Sequence, residues 1–461
     1  MTASRLHNAL VEGGNKPFII APSGHWTYRG MLDYVRRITT LIQKLETGRL
    51  ACHLHDSPAL VAIMLAAASC GKSLVVLSKD YQPRQIAPLV GELDIGLLIG
   101  DVSLDLDDSC DQLLLSELST QLESVEGADM LYCAADSEIL ILTSGTTGAP
   151  KCASYRWSDL LDQLVVQQPE ADERWLLAYK LNHFAGVQML AHVIANLSTL
   201  VLAESTRVAD AIGAMAEFAV THVSSTPTFW RFALTIFSQS ATPPALRHIT
   251  LGSEPVSADL LHDLVILFPS TRIVQIYALT ETGSCISVSD CLPGLPETVL
   301  KRPDTATVQF RIRDEELHVK TSHGMKNYVN RESEQPVTND GWFATGDLVK
   351  IQEGRILFIG RRSETINVGG VKVHPLEVEN VISAVPGVKL TRVYGRDNPI
   401  VGQIVAVDLV VSEGWESSKV ENDVRAACMT LPRHNRPRSI EIVDTIPTSN
   451  YKLVRRGART E

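Results

Sequence analysis

Hydrophobic and polar positions follow two alternating spacings from residue 17 to about residue 276. Buried strands are predicted by short continuous apolar runs at residues 17–20, 74–77, 95–100 and 139–142. Between them, apolar residues recur every three or four positions, as in the stretch that Thr27 could cap, and this spacing predicts helices. Strands that alternate with helices indicate largely parallel sheets covered on both faces.

The pattern changes twice further along the chain. The alternation ends with predicted strands at 221–224, 248–252 and 272–276 and helices at 228–237 and 258–267. From about residue 305 short β segments such as 308–312 follow, and near Gly360 a new α+β alternation begins. Its predicted elements are helices at 375–384 and 417–431 and strands at 404–411 and 439–443.

These patterns predict an α/β protein of two domains. We expect a large N-terminal domain, residues 1–361, made of doubly wound α/β subdomains plus a β-rich section. Residues 362–461 are expected to form a small α+β C-terminal domain, because about 100 residues is a usual domain size.

Composition narrows the class of protein. The 461 residues are 45% hydrophobic and 21% charged, which is typical of a globular protein with an ample core. A net charge of -11 argues against a nucleic-acid binder, and no apolar run approaches the roughly 20 residues of a membrane helix. The start of the chain has no apolar signal region, and none of the eight cysteines forms a C-x-x-C pair. We therefore expect a cytoplasmic protein with reduced thiols, without a membrane span or a nucleic-acid partner.

The stretch after the apolar run 139–142 carries the first candidate chemistry. It reads Thr143, Ser144, Gly145, Thr146, Thr147, Gly148, Ala149, Pro150, Lys151. Glycines let several backbone N–H groups point into one concavity, and a lysine adds a charge for phosphate oxygens. Since Pro150 precedes the lysine and Cys152 follows it, the stretch is not the common P-loop. It predicts a polyphosphate cradle, and the alternative is a polar turn between a strand and a helix.

Four further segments, taken with this loop, resemble the adenylate-forming (AMP-binding) superfamily. They are residues 277–283 (Tyr-Ala-Leu-Thr-Glu-Thr-Gly), 341–347 (Gly-Trp-Phe-Ala-Thr-Gly-Asp), 360–362 (Gly-Arg-Arg) and 448–452 (Thr-Ser-Asn-Tyr-Lys). They occur in the family's order, and the similarity runs from Trp26 to Lys452. The superfamily includes acyl-CoA and aryl-CoA synthetases and carrier-protein-loading adenylation enzymes.

The resemblance implies a site for ATP and Mg²⁺. It assigns the loop to the β- and γ-phosphates, Thr280 to the α-phosphate and Glu281 to the magnesium ion, a hard cation that prefers oxygen ligands. Asp347 would accept both ribose hydroxyls, and Arg361 would also reach the ribose. The other residues that the resemblance places on the nucleotide side are Gly252, Ser253 and Tyr277.

The resemblance also implies a mobile C-terminal domain. Lys452 is similar to the catalytic lysine that this domain delivers to the transferring phosphoryl group; the alternative is a plain basic tail beside Arg455 and Arg456. Ser363 lies where the family has its hinge. Gly369 and Gly370 resemble the loop of the pantetheine tunnel, although paired glycines also suit an ordinary β-turn.

The acid pocket is assigned by the same resemblance. His183 matches a His-x-x-Gly segment at the pocket floor, while a lone histidine near apolar residues is often only a core residue. Residues 182–187 contain no acidic side chain to pair with a substrate ammonium, so an ordinary α-amino acid is disfavoured. The remaining pocket candidates are Phe184, Ser225, Thr226 and Ala278.

The resulting expectation is an AMP-forming carboxylate–thiol ligase. It would activate an aryl or medium-sized acyl acid to the acyl-adenylate and pass it to CoA or to the phosphopantetheine of an acyl or peptidyl carrier protein. One alternative passes the adenylate to a non-thiol acceptor. Another is a nucleotide-binding regulatory protein with impaired turnover, which the unusual Tyr451 before Lys452 and the serine at position 363 leave open.

Overall fold

A computed structural model gives the fold of most of the chain. It describes residues 3–106, 110–127, 137–143, 150–162, 164, 172–239, 242–331, 337–338, 340–446, 448–449 and 452–453. None of the helices within these ranges is long and apolar enough to cross a membrane.

The first section builds a mainly parallel sheet. Its elements, in chain order, are α1 (Ala3–Gly13), β1 (Pro17–Ala21), β2 (Gly24–Thr27), α2 (Tyr28–Ile42), β3 (Arg49–His53), α3 (Pro58–Ser69), β4 (Ser73–Val76), α4 (Pro83–Glu92), β5 (Leu97–Gly100), β6 (Asp111–Leu114), α5 (Leu115–Glu123), β7 (Glu138–Thr143), β8 (Lys151–Arg156) and α6 (Trp157–Asp162). The strands pair in the order β6-β5-β3-β4-β7-β8, with only the β7–β8 pair antiparallel. The predicted cap of α2 is confirmed, since the Thr27 side chain accepts a hydrogen bond from Gly30 N.

The second section builds another mainly parallel sheet. Its elements are β9 (Arg174–Leu177), α7 (Phe184–Ala195), β10 (Thr199–Val201), α8 (Val208–Glu217), β11 (His222–Ser225), α9 (Pro227–Gln239), β12 (His248–Gly252), α10 (Ala258–Leu267), β13 (Arg272–Leu279) and β14 (Gly283–Val288). With β1 and β2 they pair in the order β14-β13-β12-β11-β9-β10-β1-β2. Only the edge pairs β13–β14 and β1–β2 are antiparallel.

Helices between these two sheets form the main core. Strand residues of both sheets pack on α1, α2, α3 and α7 in one apolar cluster. Every residue of α3 except Ala59 is buried. The opposite faces are covered by α4 on the first sheet and by α8, α9 and α10 on the second. The predicted α/β class with sheets covered on both faces is therefore confirmed.

The third section is antiparallel. Its elements are β15 (Leu295–Pro296), a 3₁₀ turn (Glu297–Lys301), β16 (Val308–Arg313), β17 (Glu316–Thr321), β18 (Phe343–Gln352), β19 (Arg355–Arg361) and a second 3₁₀ turn (Arg362–Glu364). The strands pair in the order β15-β19-β18-β17-β16. This sheet is the β-rich section that the sequence predicts.

The last section has a sheet and an apolar core of its own. Its elements are β20 (Ile366–Val368), β21 (Val371–Val373), α11 (Pro375–Ser383), β22 (Val388–Asn398), β23 (Gly402–Val411), α12 (Ser417–Cys428), β24 (Ser439–Ile442), β25 (Thr448–Ser449) and β26 (Lys452–Leu453). The predicted helix 417–431 is too long at its end. Thr430 N and Leu431 N bond the carbonyls three residues back, so the α-helical ladder stops at Cys428 before Pro432.

Candidate active site

The candidate residues of the second sheet meet at one edge. Neighbouring parallel strands β9, β11, β12 and β13 all end there, because parallel strands share their carboxyl edge. Ser225 ends β11 and Gly252 ends β12, while Thr280 directly follows β13. Ligands of open α/β sheets bind outside such carboxyl ends. Residues up to 55 positions apart in sequence are thus brought to one crevice by the sheet order alone.

Thr280 and Glu281 are held by two tyrosines. Tyr155 Oη donates to the Thr280 carbonyl over 2.6 Å, and Tyr328 Oη donates to Glu281 Oε1 over 2.8 Å. Burial raises the pKa of Tyr155 well above its usual range, so its hydroxyl stays a donor. The Glu281 carbonyl in turn accepts from Met325 N over 3.0 Å. The turn after β13 is therefore fixed from both sides.

The two ends of the candidate phosphate loop face each other. Thr143 ends β7, Lys151 begins β8, and the two residues are direct antiparallel partners. Lys151 Nζ lies 5.3 Å from the centroid of the Tyr328 ring. Ser144, Gly145, Thr146, Thr147 and Gly148 lie outside the described residues. The chain continues as a strand after the loop, so the alternative of a turn between a strand and a helix does not describe this segment.

Asp347, Arg361 and Tyr277 form one polar cluster. Asp347 on β18 is the register partner of Arg361 on β19, and Arg361 Nε lies 2.9 Å from Asp347 Oδ1. Tyr277 Oη donates to Asp347 Oδ2 over 2.8 Å, while its ring stacks on Phe358 at 5.1 Å. Asp347 raises the pKa of Arg361, and burial raises the pKa of Tyr277 well above its usual range. The antiparallel section thus contributes a carboxylate to the edge of the parallel sheet.

The backbone of β13 and β12 bends at this edge. The β13–β14 register shifts between Tyr277 and Ala278, a bulge of the kind found beside functional sites. Ser253, just after β12, has φ of 70°, a left-handed conformation that is costly for a residue with a side chain. A Cβ on Gly252 would lie 3.3 Å from Tyr179 Oη, so this hydroxyl closes the floor beside Gly252.

The pocket candidates after β11 are tied to the start of α9. Ser225 and Thr226 are fully buried. Thr226 Oγ1 accepts from Phe229 N over 3.1 Å, whereas Ser225 Oγ has no hydrogen-bond partner in the part of the chain that the structure describes. Glu254 Oε2 accepts from Thr228 N over 3.1 Å. A carboxylate at a helix N-terminus is favourable, which gives Glu254 a capping role at α9.

His183 is the residue immediately before α7. Its backbone is extended, and Val187 N bonds its carbonyl over 3.1 Å. The segment is tight, since a Cβ on Gly186 would lie 2.2 Å from the Lys180 carbonyl oxygen. This close approach explains the glycine of the His-x-x-Gly pattern. Phe184 is only 5% exposed and packs on Tyr155 at 5.1 Å, so its ring belongs to the core beneath the site.

Asp56 supports the same segment from the first sheet. Its Oδ1 accepts from Leu181 N over 3.1 Å, and burial raises its pKa to about 6. Nothing in the local sequence marks this aspartate, because its partner is 125 residues away. Sequence reasoning also missed Tyr328, whose hydroxyl reaches Glu281.

The hinge and C-terminal candidates lie in short turns. Ser363 is in the 3₁₀ turn after β19, and Arg362 beside it pairs with Glu316 of β17 at 2.9 Å. Gly369 and Gly370 form the two-residue turn between β20 and β21, with φ of 60° and 88°. A turn with two left-handed residues favours glycine. The two glycines therefore form the β-turn that the sequence offered as the alternative, and the turn leaves open a role in the pantetheine tunnel.

The strand that carries Lys452 lies against the large section. Lys452 begins β26, which pairs with β25 and contacts α9. The start of α9 follows Ser225 and Thr226 directly. Strand β26, which includes the backbone of Lys452, therefore contacts the helix that follows two of the pocket candidates.

The described residues suit a magnesium ion that is shared with phosphates. Among them, no three His, Cys, Asp or Glu side chains cluster closely enough to hold a metal ion. Mg²⁺ is commonly bound through one or two carboxylates plus substrate phosphates. Glu281, half-buried and oriented by Tyr328, is compatible with that mode.

The two-sheet large section with a smaller C-terminal section is the fold of adenylate-forming enzymes. The chain belongs to the AMP-binding enzyme family, whose model matches residues 6–327. The model of the AMP-binding enzyme C-terminal domain matches residues 377–451. The family resemblance carried by the five sequence segments is confirmed.

Curated relatives of known activity are similar over nearly their whole length. A 2-succinylbenzoate–CoA ligase of Bacillus pumilus is 26% identical over 99% of this chain and 97% of its own. A feruloyl-CoA synthase of an Amycolatopsis species is 26% identical over 98% of this chain and 91% of its own.

Solved structures share the fold. The anthranilate CoA ligase AuaEII in complex with anthranoyl-AMP has a TM-score of 0.85 at 19% identity, over 98% of this chain and 95% of its own. The o-succinylbenzoate CoA synthetase of Bacillus subtilis with ATP and magnesium has a TM-score of 0.77 at 22% identity, over 98% of each chain.

Proposed function

We propose that this protein is an ATP-dependent carboxylate–CoA ligase that forms AMP. A carboxylate oxygen of the acid attacks the α-phosphorus of ATP, the bond to the bridging oxygen breaks, and pyrophosphate leaves. The sulfur of CoA then attacks the acyl carbon, the thiol gives up its proton, and AMP leaves. The observation that carries the proposal is the meeting of Thr280, Glu281, Tyr277 and Asp347 at one strand edge in a chain of the AMP-binding family.

The residues of the candidate site would have different roles in formation of the acyl-adenylate. Both reactants are anions, so the site must neutralise charge and hold them in line. Lys151 would contact the outer phosphates and Thr280 the α-phosphate, while Asp347 would accept the ribose hydroxyls. A magnesium ion at Glu281 would supply neutralisation of the phosphate oxygens. The nucleotide side would be completed by Gly252, Ser253, Tyr277 and Arg361.

The acid is proposed to be aryl or medium-sized acyl. The relatives named above act on 2-succinylbenzoate and ferulate, and the anthranilate ligase shares the fold. Segment 182–187 offers no acidic partner for an ammonium group. The pocket would lie between His183 and the ends of β11 and β13, with Ser225, Thr226 and Ala278 along it and Phe184 beneath.

The acceptor is proposed to be CoA. The curated relatives are named as CoA ligases or synthases, and a carrier-protein phosphopantetheine is the alternative acceptor. We further propose that residues 1–361 and 362–461 act as two domains that rotate about Ser363. The turn at Gly369 and Gly370 would then face the pantetheine arm. The free cysteines among the described residues fit work in a reducing compartment such as the cytoplasm.

A pyrophosphate exchange assay tests the first step. The purified protein is incubated with ATP, Mg²⁺, labelled pyrophosphate and a panel of aryl, acyl and amino acids. We expect label to enter ATP with an aryl or medium-sized acyl acid and not with α-amino acids. Addition of CoA, or of a phosphopantetheinylated carrier, then shows which thiol becomes acylated. Absence of exchange with every acid would contradict the proposal.

The variant Lys452→Ala tests the proposed catalytic lysine. A cation that contacts only the transferring phosphoryl group stabilises the transition state more than the bound substrate. We expect the exchange rate to fall about 100-fold or more while ATP affinity changes little. Lys419→Ala, an exposed lysine on α12, is the matched control. An unchanged exchange rate would remove Lys452 from the mechanism.

A further inference from the structure

A segment far from the phosphate loop in sequence runs beside it in space. Residues 326–330, here called the bracing segment, pair with β8: Lys326 N bonds the Ser154 carbonyl over 2.8 Å, and Val329 N bonds the Cys152 carbonyl over 2.8 Å. Tyr328 lies opposite Ala153 in this ladder. The bracing segment therefore extends the sheet next to the strand that begins with Lys151.

Asn330, the last residue of the bracing segment, binds the chain on both sides of Lys151. Its Oδ1 accepts from Cys152 N over 2.9 Å, and its Nδ2 donates to the Pro150 carbonyl over 3.0 Å. The amide group thus fixes the peptide before and the peptide after the lysine. Nδ2 also lies 3.1 Å from Glu92 Oε2, which anchors the amide to α4.

Tyr328 contacts both charged candidates of the phosphate site. It is only 5% exposed, its hydroxyl donates to Glu281 Oε1 over 2.8 Å, and its ring lies 5.3 Å from Lys151 Nζ. A lysine side chain is a flexible four-carbon stem that loses entropy when it is fixed. An aromatic face attracts the ammonium without neutralising it, so the charge remains available to an anion.

We propose that Tyr328 and Asn330 are positioning residues that set the placement of Lys151 and Glu281 for the pyrophosphate end of ATP. The proposal rests on the proposed function, because it takes Lys151 as a phosphate contact and Glu281 as the magnesium carboxylate. Asn330 fixes the backbone at Lys151, and Tyr328 fixes the ammonium of Lys151 relative to the carboxylate of Glu281. One segment thereby sets the separation of the two charges.

The proposed positioning role predicts different effects on the binding of ATP, pyrophosphate and AMP. ATP and pyrophosphate carry the phosphates that Lys151 and a magnesium ion at Glu281 would contact, whereas AMP carries only the α-phosphate. Loss of the contacts made by Tyr328 and Asn330 should weaken the binding of ATP and pyrophosphate and leave the binding of AMP nearly unchanged. A variant that merely disturbs the fold would weaken all three ligands together. The ratio of ATP to AMP affinity therefore separates positioning from general damage.

Calorimetric titration of variants with Mg·ATP, Mg·pyrophosphate and AMP tests the proposal. We expect Asn330→Ala to weaken ATP and pyrophosphate about tenfold, the order of one lost hydrogen-bonded constraint on a charged group, with AMP changed less than twofold. Tyr328→Phe keeps the ring and removes the hydroxyl. It should raise the Mg²⁺ concentration for half-maximal ATP binding about tenfold and leave AMP binding unchanged.

Two variants of similar chemistry serve as controls. Asn327→Ala removes an amide of the bracing segment whose Nδ2 donates to the Tyr328 carbonyl over 3.3 Å. Tyr394→Phe removes a tyrosine hydroxyl from a carboxylate, Asp408 Oδ1 at 3.2 Å, in the C-terminal section. Both should retain the wild-type ratio of ATP to AMP affinity. Equal weakening of ATP and AMP by Asn330→Ala would overturn the proposal.

A double-mutant cycle with Lys151→Ala isolates the coupling. If Asn330 acts through Lys151, then Asn330→Ala should weaken ATP much less once the lysine is absent. Independent, additive losses would overturn the proposed action of Asn330 through Lys151. Binding needs no turnover, so the cycle stays informative even if no acid supports pyrophosphate exchange. The experiments thus distinguish a failure of the proposed reaction from a failure of the proposed positioning role.

Discussion

The charged side chains of the site are paired before any ligand binds. Asp347 has Tyr277 Oη at one carboxylate oxygen and Arg361 Nε at the other. Each carboxylate oxygen has two lone pairs and can accept more than one hydrogen bond. The pairing also lowers the cost of burying the charge, which is expensive for a carboxylate without partners. At the scale of single residues, this paired geometry supports the proposed role of Asp347 as acceptor of the ribose hydroxyls.

Asp347→Asn tests that arrangement. The amide keeps the shape of the side chain, loses the charge opposite Arg361 and replaces one acceptor oxygen with a donor. We expect ATP and AMP to be weakened alike, by about tenfold or more, because both carry the ribose. Titration with the two nucleotides measures the change. Asp340→Asn, at an exposed aspartate 2.8 Å from Arg311, is the control, and an unaltered affinity of Asp347→Asn for both nucleotides would contradict the assignment.

Elements whose apolar residues show a clear period were predictable from the sequence. The helix after Thr27 has one buried face, so its three-to-four spacing is visible, and α2 follows the prediction. Helix α3 was not predicted, because all of its residues except Ala59 are buried and its composition shows no polar face. Strand β3 before it was missed as well. Burial on all sides removes the periodic signal on which such predictions depend.

Candidate site residues could be named from the sequence where they lie in local motifs. Thr280, Glu281 and Asp347 lie in short recognisable segments. Thr280 and Glu281 follow β13, and Asp347 of β18 is joined to β13 through the Tyr277 hydroxyl. Tyr328 and Asn330 were not found, because their roles arise from pairing with β8, about 175 residues earlier in the chain. Sequence spacing alone does not show that the bracing segment lies beside Lys151. Such contacts belong to the tertiary level.

The opposite edge of the same strands gathers titratable side chains. Trp175 Nε1 donates to Glu173 Oε1 over 2.6 Å, and His222 Nε2 lies 3.8 Å from that oxygen. His222 and His248 stack at 5.7 Å, and Trp175 also packs on His192. Burial lowers the pKa of His248 to about 4 and lowers the pKa of His222, against the attraction of Glu173. Burial at this end of β11 and β12 therefore favours the neutral forms of His222 and His248.

The cluster makes stability depend on pH. An unfolded histidine has a pKa of about 6.5, so between pH 6.5 and 4 the unfolded chain binds more protons than the folded one. The contribution of His248 to stability is complete above pH 6.5 and is lost as the pH falls toward 4. We expect His248→Gln to reduce the fall in unfolding free energy between pH 7 and 4.5 by about 2 kcal/mol, as measured by urea unfolding. An identical pH dependence in the variant would contradict this. His262→Gln, at an exposed histidine of α10, is the control.

At the scale of the whole molecule, the C-terminal section contacts the large section at α9. Buried Leu390, Val410 and Ile446 of the C-terminal section pack on Phe232 of this helix, and Lys389 Nζ lies 6.0 Å from the Phe232 ring. Strand β26, which begins with Lys452, contacts the same helix. The start of α9 follows the pocket candidates Ser225 and Thr226. One helix therefore lies next to the proposed acid pocket, to the apolar contact of Phe232 with the C-terminal section and to the strand of the proposed catalytic lysine.

Phe232→Ala tests whether this docking supports adenylation. Truncation of an aromatic anchor removes the apolar contact that holds Leu390 and Val410, and such anchors commonly contribute more than 1 kcal/mol. The C-terminal section would then spend less time with β26 against α9, so we expect pyrophosphate exchange to fall about tenfold. ATP affinity should stay near the wild-type value, because the proposed nucleotide contacts lie in residues 1–361. Ile266→Ala, at a side chain 65% exposed on α10, is the control.

A parallel loss of ATP affinity in Phe232→Ala would indicate damage to α9 and not a loss of docking. Unchanged exchange would show that the small section reaches its adenylating position without this contact. The expected result is a reduced exchange rate at unaltered ATP affinity. That combination arises when a catalytic group on one body must be brought to a substrate already bound on the other. The Lys452→Ala variant should then mask the effect of Phe232→Ala, because docking has no further benefit once the lysine is absent.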